Sequence, residues 1–138
     1  MNWKHSIALA MMAIATLQAS AENRPKTVFM YGFAASFNDS TVYFTDIQQV
    51  DSAYIDSKTG FLYSRNDYSS QFHDYLVGTG FDSPTCITSF ALTRKDAEKK
   101  YLKLRKRYLD GGHYNIKYVK ESAFSYAPIK WEQPESAK

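Results

Sequence analysis

The chain has 138 residues, of which 44% are hydrophobic and 22% are charged. This composition is typical of a folded globular protein and excludes a largely disordered chain. The single cysteine, Cys86, excludes a disulfide bond within the chain. The formal net charge of +3 is small, although it conceals a strongly basic region and an acidic one.

The N-terminal segment, residues 1–21, has the pattern of a signal peptide. Lys4 precedes an uncharged apolar run, Ser6–Leu17, and Ala19 and Ala21 provide the small residues that signal peptidase requires before its cut. The run is shorter than the roughly 20 residues of a permanent membrane-spanning helix. We therefore expect cleavage after Ala21, export to the periplasm or the exterior, and no transmembrane segment in the mature chain.

No repeat, linker or low-complexity tract divides residues 22–138, which are expected to form one domain with its core at about 26–126. Lys26–Phe33 and Thr41–Gln48 are rich in β-branched and aromatic residues, which predicts two strands. The polar turn Asn38–Ser40 between them predicts a hairpin.

The apolar alternation of the second strand breaks at Gln48 and Gln49, which predicts a bulge or a strand end, with Val50–Ile55 continuing less regularly. Farther on, a helical stripe predicts a first helix over Asp67–Val77, formed by Tyr68, Phe72, Tyr75 and Leu76.

The remaining elements are a third strand, a second helix and a fourth strand. Pro84–Leu92 and Tyr114–Lys120 have strand composition. Between them, Thr93 is a candidate N-cap, and the glycines at 111 and 112 are suited to ending the helix. The apolar face of this helix is predicted to consist of Ala97, Tyr101, Leu104 and Tyr108.

The element order β-β-α-β-α-β predicts the α+β class and a small two-layer sandwich. We expect both helices on one face of a four-stranded sheet. The other face would then be available for tyrosines, of which the chain has eleven, to stack on sugars or side chains.

Residues with catalytic chemistry are few. No nucleophile elbow, zinc-protease, phosphate-loop or dinucleotide motif occurs in the sequence. Asp46, Asp51 and Asp56 are five residues apart, whereas the ligands of a calcium loop are two apart. We therefore expect a non-enzymatic protein without a metal or another cofactor. One alternative is a small hydrolase or thiol-dependent enzyme that pairs Cys86 with His73 or His113.

Charge is divided unevenly along the chain. Residues 39–82 contain seven aspartates but only two basic residues, whereas residues 94–107 contain eight basic residues and two acidic ones. This division predicts an electrically dipolar domain. The second helix is a candidate for polyanion binding, although a merely solvated face is the alternative. The candidate residues are Arg94, Lys95, Lys99, Lys100, Lys103, Lys106 and Arg107.

Two resemblances bear on function. The segments Val28–Val50, Thr85–Ile87 and Thr93–Tyr101 resemble small exported bacterial proteins of unassigned function, which imply no activity or ligand. The C-terminal half also resembles half of the SPOR peptidoglycan-binding domains, at Ser89, Phe90, Ala97, Leu104 and Tyr114–Val119. The first half departs from that family, because it begins with a hairpin where the family begins with strand, helix and strand. No binding residue is therefore transferred.

The function expected from these features is that of an exported binding or interaction module of the bacterial envelope. Because export separates the protein from cytoplasmic nucleic acid, anionic lipid head groups, lipopolysaccharide or acidic glycans are the more available polyanions. A further alternative is a subunit or inhibitor that binds one protein partner through a strand edge.

Overall fold

The computed structural model describes residues 24–131, which form a mixed five-stranded sheet with two helices. The predicted signal peptide and its cleavage site at Ala19 and Ala21 lie outside the described residues. The elements in chain order are β1 (Lys26–Ser36), β2 (Asp39–Thr45), β3 (Gln48–Ala53), α1 (Arg65–Gly78), β4 (Thr85–Ala91), α2 (Arg94–Gly111) and β5 (Asn115–Val119).

The long strand β1 is the centre of the sheet. β2 pairs antiparallel with its C-terminal half and β3 with its N-terminal half. β4 pairs antiparallel along the opposite edge of β1, and β5 adds to β2 in parallel. The α+β class is confirmed, whereas the predicted four-stranded sheet is wrong because residues 48–53 form a strand of their own.

The division between β2 and β3 comes from one extra residue. Phe33 faces Phe44, but Met30, three residues earlier, faces Gln48 and not Ile47. The Thr45 hydroxyl oxygen accepts a hydrogen bond from the Gly32 amide at 2.8 Å, which satisfies a backbone donor at the irregularity. A bulge of this kind reverses the faces of the residues that follow it, and it explains the break in alternation at Gln48.

The two helices lie on opposite faces of the sheet, so the predicted two-layer arrangement with both helices on one face is wrong. Met30 and Ala34 of β1 belong to the cluster that contains Phe72 of α1. Phe33, which has the opposite orientation in the strand, packs against Tyr108 of α2 at a ring-centroid distance of 4.9 Å.

The connectivity explains this three-layer arrangement. The crossover from β3 through α1 to β4 passes over β1 in one direction, and the crossover from β4 through α2 to β5 returns in the other. Crossovers between strands that run in the same direction are nearly always right-handed, so a reversal of direction places the second helix on the other face.

The C-terminal segment, residues 120–131, completes the α1 layer without forming a helix or strand. The buried side chain of Gln48 donates from Nε2 to the Phe124 carbonyl and accepts from the Tyr126 amide through Oε1, both at 2.8 Å. Gln71 of α1 makes the same pair of bonds to the backbone of Ala127, at 3.0 and 2.8 Å. Two side-chain amides thus replace the backbone ladder that this segment lacks.

Candidate anion-binding surface

Helix α2 begins and ends as its sequence predicts. Thr93 Oγ1 accepts a hydrogen bond from the Asp96 amide at 3.2 Å, and Gly112, at the C-cap, has a φ of 74° that glycine adopts at little cost. The predicted apolar face is confirmed: Ala97 is fully buried, and half-buried Tyr101, Leu104 and Tyr108 pack against Phe33, Val42 and Phe44 of the sheet.

The opposite side of α2 carries a row of lysines. Residues three and four apart lie on the same side of a helix, and Ala97 and Tyr101 fix the side that faces the sheet. The solvent-facing side therefore presents four exposed lysines, which we call the lysine row: Lys95, Lys99, Lys103 and Lys106.

Two of the seven predicted anion-binding residues are used within the fold. Lys100 donates from Nζ to the Phe90 carbonyl at 2.8 Å. The Arg94 guanidinium lies 5.1 Å from the centre of the Phe29 ring. Arg107 is exposed like the lysine row, so five of the seven predicted cations remain directed at solvent.

The lysine row has no acidic partner among the described residues. Within residues 24–131, the one side-chain ion pair at 4.0 Å or less joins His73 to Asp74. Asp96 and Lys100, which are four residues apart on the helix, do not form an ion pair, and neither do Glu98 and Lys103, which are five apart. Helix α2 carries eight basic and three acidic side chains, and no carboxylate of residues 24–131 lies within 4.0 Å of the ammonium groups of the lysine row.

Several carboxylates of the acidic region, residues 39–82, bind backbone amides. Asp39 accepts from the Thr41 amide, and Asp46 from the Glu121 amide at 2.9 Å. Asp67 and Asp74 belong to α1, on the opposite face of the sheet from α2. Asp46 and Glu121 line a cleft with Arg94 and Tyr101, so they lie near the N-terminal part of α2 and not beside Lys103 or Lys106.

Lys100 also protects the outer edge of β4. The Arg65 side chain donates from Nε to the Thr88 carbonyl at 2.7 Å, two residues from the carbonyl that Lys100 binds. One edge of β4 pairs with β1, so Arg65 and Lys100 bind the Thr88 and Phe90 carbonyls at the other, unpaired edge. Charged side chains at an edge strand oppose pairing with another chain, so β4 is poorly suited to the strand-edge binding considered above.

A separate cleft of about 450 Å³ is lined by aromatic rings. Residues 54–63 form a small hairpin in which Ile55 bridges Leu62, and the Tyr63 amide donates to the Tyr54 carbonyl at 2.8 Å. Ile55 and Leu62 pack into the core, so alternate residues of this hairpin face outward. The cleft, called the aromatic cleft below, includes Tyr54, Asp56, Phe61, Tyr63 and Trp131.

A second cleft joins the aromatic hairpin to α2. Its lining includes Ile55 and Gly60 of the hairpin, Leu92 directly after β4, and both Asp96 and Lys99 of α2. Its volume is about 560 Å³. The aromatic cleft shares Ile55 with this second cleft, and Lys99 is the member of the lysine row that lines it.

Cys86 lacks the environment of a catalytic thiol. It is half-buried in the α1-side core, where burial raises its pKa from 9.0 to about 11. Among the described residues, the hydrogen bonds of His73 and His113 go to Asp74 and to the Gly111 carbonyl. A thiol that is protonated at neutral pH is a poor nucleophile.

The described residues bring no metal-binding group together: within 24–131, no three His, Cys, Asp or Glu side chains are placed to hold an ion. Asp46, Asp51 and Asp56 thus do not converge. In the same range, neither helix has the length and apolar character needed to cross a membrane.

Comparison with known proteins adds no relative to these observations. No family model, no curated protein and no solved structure matches the chain. The resemblance to SPOR domains stays a prediction.

Sequence reasoning missed the aromatic cleft. A local signal was present, because Tyr54, Asp56, Phe61 and Tyr63 alternate around a turn at Gly60, the pattern of one hairpin face. The contribution of Trp131 had no such signal, since it lies far along the chain.

Proposed function

We propose that this protein is an exported, non-enzymatic binding module that attaches to an anionic component of the bacterial envelope through α2. The observation that carries the proposal is the lysine row, four exposed cations on one side of a helix that form no ion pair with a carboxylate of the described part of the chain. Export is supported by the N-terminal sequence pattern alone. Nucleic acid is the less available polyanion outside the cytoplasm.

Clustered lysines attract polyanions because binding releases counterions from the polymer. Near an anionic surface each lysine contributes about 1 kcal/mol. A row of four can therefore give useful affinity without a deep pocket, which agrees with the convex shape of a helix surface.

The test reverses three charges of the row, in the variant Lys99→Glu, Lys103→Glu and Lys106→Glu. Binding to isolated envelope fraction and to immobilised polyphosphate should weaken by at least about tenfold. Lys100 is left intact because it binds the Phe90 carbonyl.

The matched control changes the same number of exposed lysines away from α2, as Lys26→Glu, Lys120→Glu and Lys130→Glu. This variant has the same net charge as the test variant. Equal loss of binding in both variants, or no loss in the first, would show that the lysine row does not form the site.

A further inference from the structure

The rings of the aromatic cleft have exposures that core packing does not explain. Phe61 is 70% exposed and Trp131 is 39% exposed. Trp131 packs on Tyr63 with ring centroids 4.8 Å apart and on Tyr54 at 6.3 Å. Ile55 and Leu62 provide the core contacts of this hairpin, so the outward rings are free to contact a ligand.

A carboxylate, that of Asp56, lies among these aromatic rings. Asp56 Oδ1 accepts from the amides of Lys58 and Thr59 at 2.8 and 3.0 Å. These two backbone bonds lower the pKa of the carboxyl group, so Asp56 stays ionised. Its second oxygen takes part in neither bond and can accept from a ligand hydroxyl. The cleft therefore combines ring faces with a hydrogen-bond acceptor.

We propose that the ligand of the lysine row is an anionic polysaccharide. Its sugar rings stack in the aromatic cleft, and its charged groups contact the lysine row across the cleft that joins Gly60 to Lys99. This proposal rests on the proposed function and names the ligand class for it.

The charges distinguish this ligand from a lipid surface. A membrane covering both clefts would remove the Asp56 carboxylate from water with two backbone amides and the neighbouring Lys58 to compensate it, and burying a carboxylate is costly unless its oxygens are fully paired. A polysaccharide offers hydroxyl groups to Asp56 and places its anionic groups farther along the chain, at Lys99. Aromatic side chains suit a sugar ring because their apolar faces pack on its C–H groups, and the polar atoms of Tyr and Trp stay free to form hydrogen bonds.

The test compares polyanions with and without sugar rings. The probes are polygalacturonate, hyaluronan and dextran sulfate, with uncharged dextran, polyphosphate and phosphatidylglycerol vesicles as the comparison set. The variant is Phe61→Ala with Trp131→Ala. Phe37→Ala is the matched control, because Phe37 is fully exposed and lines neither cleft. Circular dichroism and thermal unfolding check that each variant is folded.

We expect at least one of the three charged polysaccharides to bind more tightly than polyphosphate and dextran. The double aromatic variant should weaken that binding by at least about fivefold, while its binding to polyphosphate stays within about twofold. Phe37→Ala should leave both unchanged.

Three results overturn the proposal: no charged polysaccharide binds more tightly than polyphosphate, the aromatic variant binds polysaccharide as the wild type does, or vesicles bind and polysaccharides do not. In each of these cases, the lysine variants should still reduce binding if α2 is the anion site. Insensitivity of every probe to those lysine variants would instead refute the proposed function.

Discussion

The two faces of the sheet are built differently. On the α1 side, Tyr68, Phe72 and Leu76 are fully buried, and the C-terminal segment seals the core. On the α2 side, Ala97 is the one buried residue of the helix, and Tyr101 and Tyr108 remain half-exposed. The first layer holds the fold together, whereas the second covers the sheet and presents charge.

This difference separates stability from binding. Changes in the α1 layer should unfold the protein, and changes on the outer side of α2 should alter binding without altering the fold. The predictions below test that separation, beginning with the largest expected effect.

Truncation of the two cores should give unequal losses. Phe72→Ala removes a fully buried ring and should cost about 3–5 kcal/mol of unfolding free energy. Leu104→Ala removes a half-buried side chain of α2 and should cost about 1–2 kcal/mol. Urea unfolding measures both. Equal losses would contradict the distinction between the layers.

The two glutamines that bond to the backbone of the C-terminal segment, Gln48 and Gln71, should differ in their effect on stability. Gln48→Leu keeps roughly the side-chain volume but leaves the buried Phe124 carbonyl and Tyr126 amide without partners. It should lower the free energy of unfolding by about 2–4 kcal/mol. Gln71→Leu removes similar bonds near solvent, where water replaces them, and should cost about 1 kcal/mol or less. Hydrogen exchange at Tyr126 should rise in the first variant alone. A milder effect at Gln48 than at Gln71 would refute this account of the segment.

Gly32 packs closely against Tyr126 and Phe72, so substitutions at Gly32 and Tyr126 should have non-additive effects on stability. A Cβ there would contact the Tyr126 hydroxyl and lie 2.8 Å from Phe72 Cδ2, so Gly32→Ala should cost about 1–3 kcal/mol. The buried Tyr126 hydroxyl forms no hydrogen bond of good geometry with any residue of 24–131. Tyr126→Phe should therefore be close to neutral and should reduce the cost of Gly32→Ala. Strictly additive effects in thermal unfolding would contradict this contact.

The raised pKa of Cys86 predicts that alkaline pH lowers the stability of the protein, and this is the smallest effect expected here. Its pKa is raised by burial from 9.0 to about 11, so the folded state holds the proton longer than the unfolded state. Its contribution to stability is complete below about pH 9 and is lost as pH rises to about 11. Urea unfolding of Cys86→Ala should show less alkaline loss than the wild type. Rapid alkylation of native Cys86 at neutral pH would contradict its buried position and revive the thiol-enzyme alternative.

Local patterns predicted the elements well, and long-range relations were missed. The apolar stripes of both helices, the Thr93 cap and the β1–β2 hairpin follow from spacing within a few residues. The strand order is not encoded locally. The opposite placement of the helices, which depends on that order, therefore could not be predicted.

The candidate site shows the same limit. The cations of α2 were found from composition, but the use of Lys100 by the Phe90 carbonyl requires the packed geometry of β4. Gln48 looked like the end of a strand, and its partner Phe124 is 76 residues away. Trp131 joins the aromatic cleft across a comparable separation.

The central claim is that the lysine row is the anion-binding surface. The most direct measurement is the salt dependence of polyphosphate binding for the wild type and for Lys99→Gln, Lys103→Gln and Lys106→Gln combined. The slope of log affinity against log salt concentration should become shallower by about 2–3, because each lysine that contacts the polyanion releases about one counterion. An unchanged slope, or an equal change for Lys26→Gln, Lys120→Gln and Lys130→Gln combined, would contradict the account.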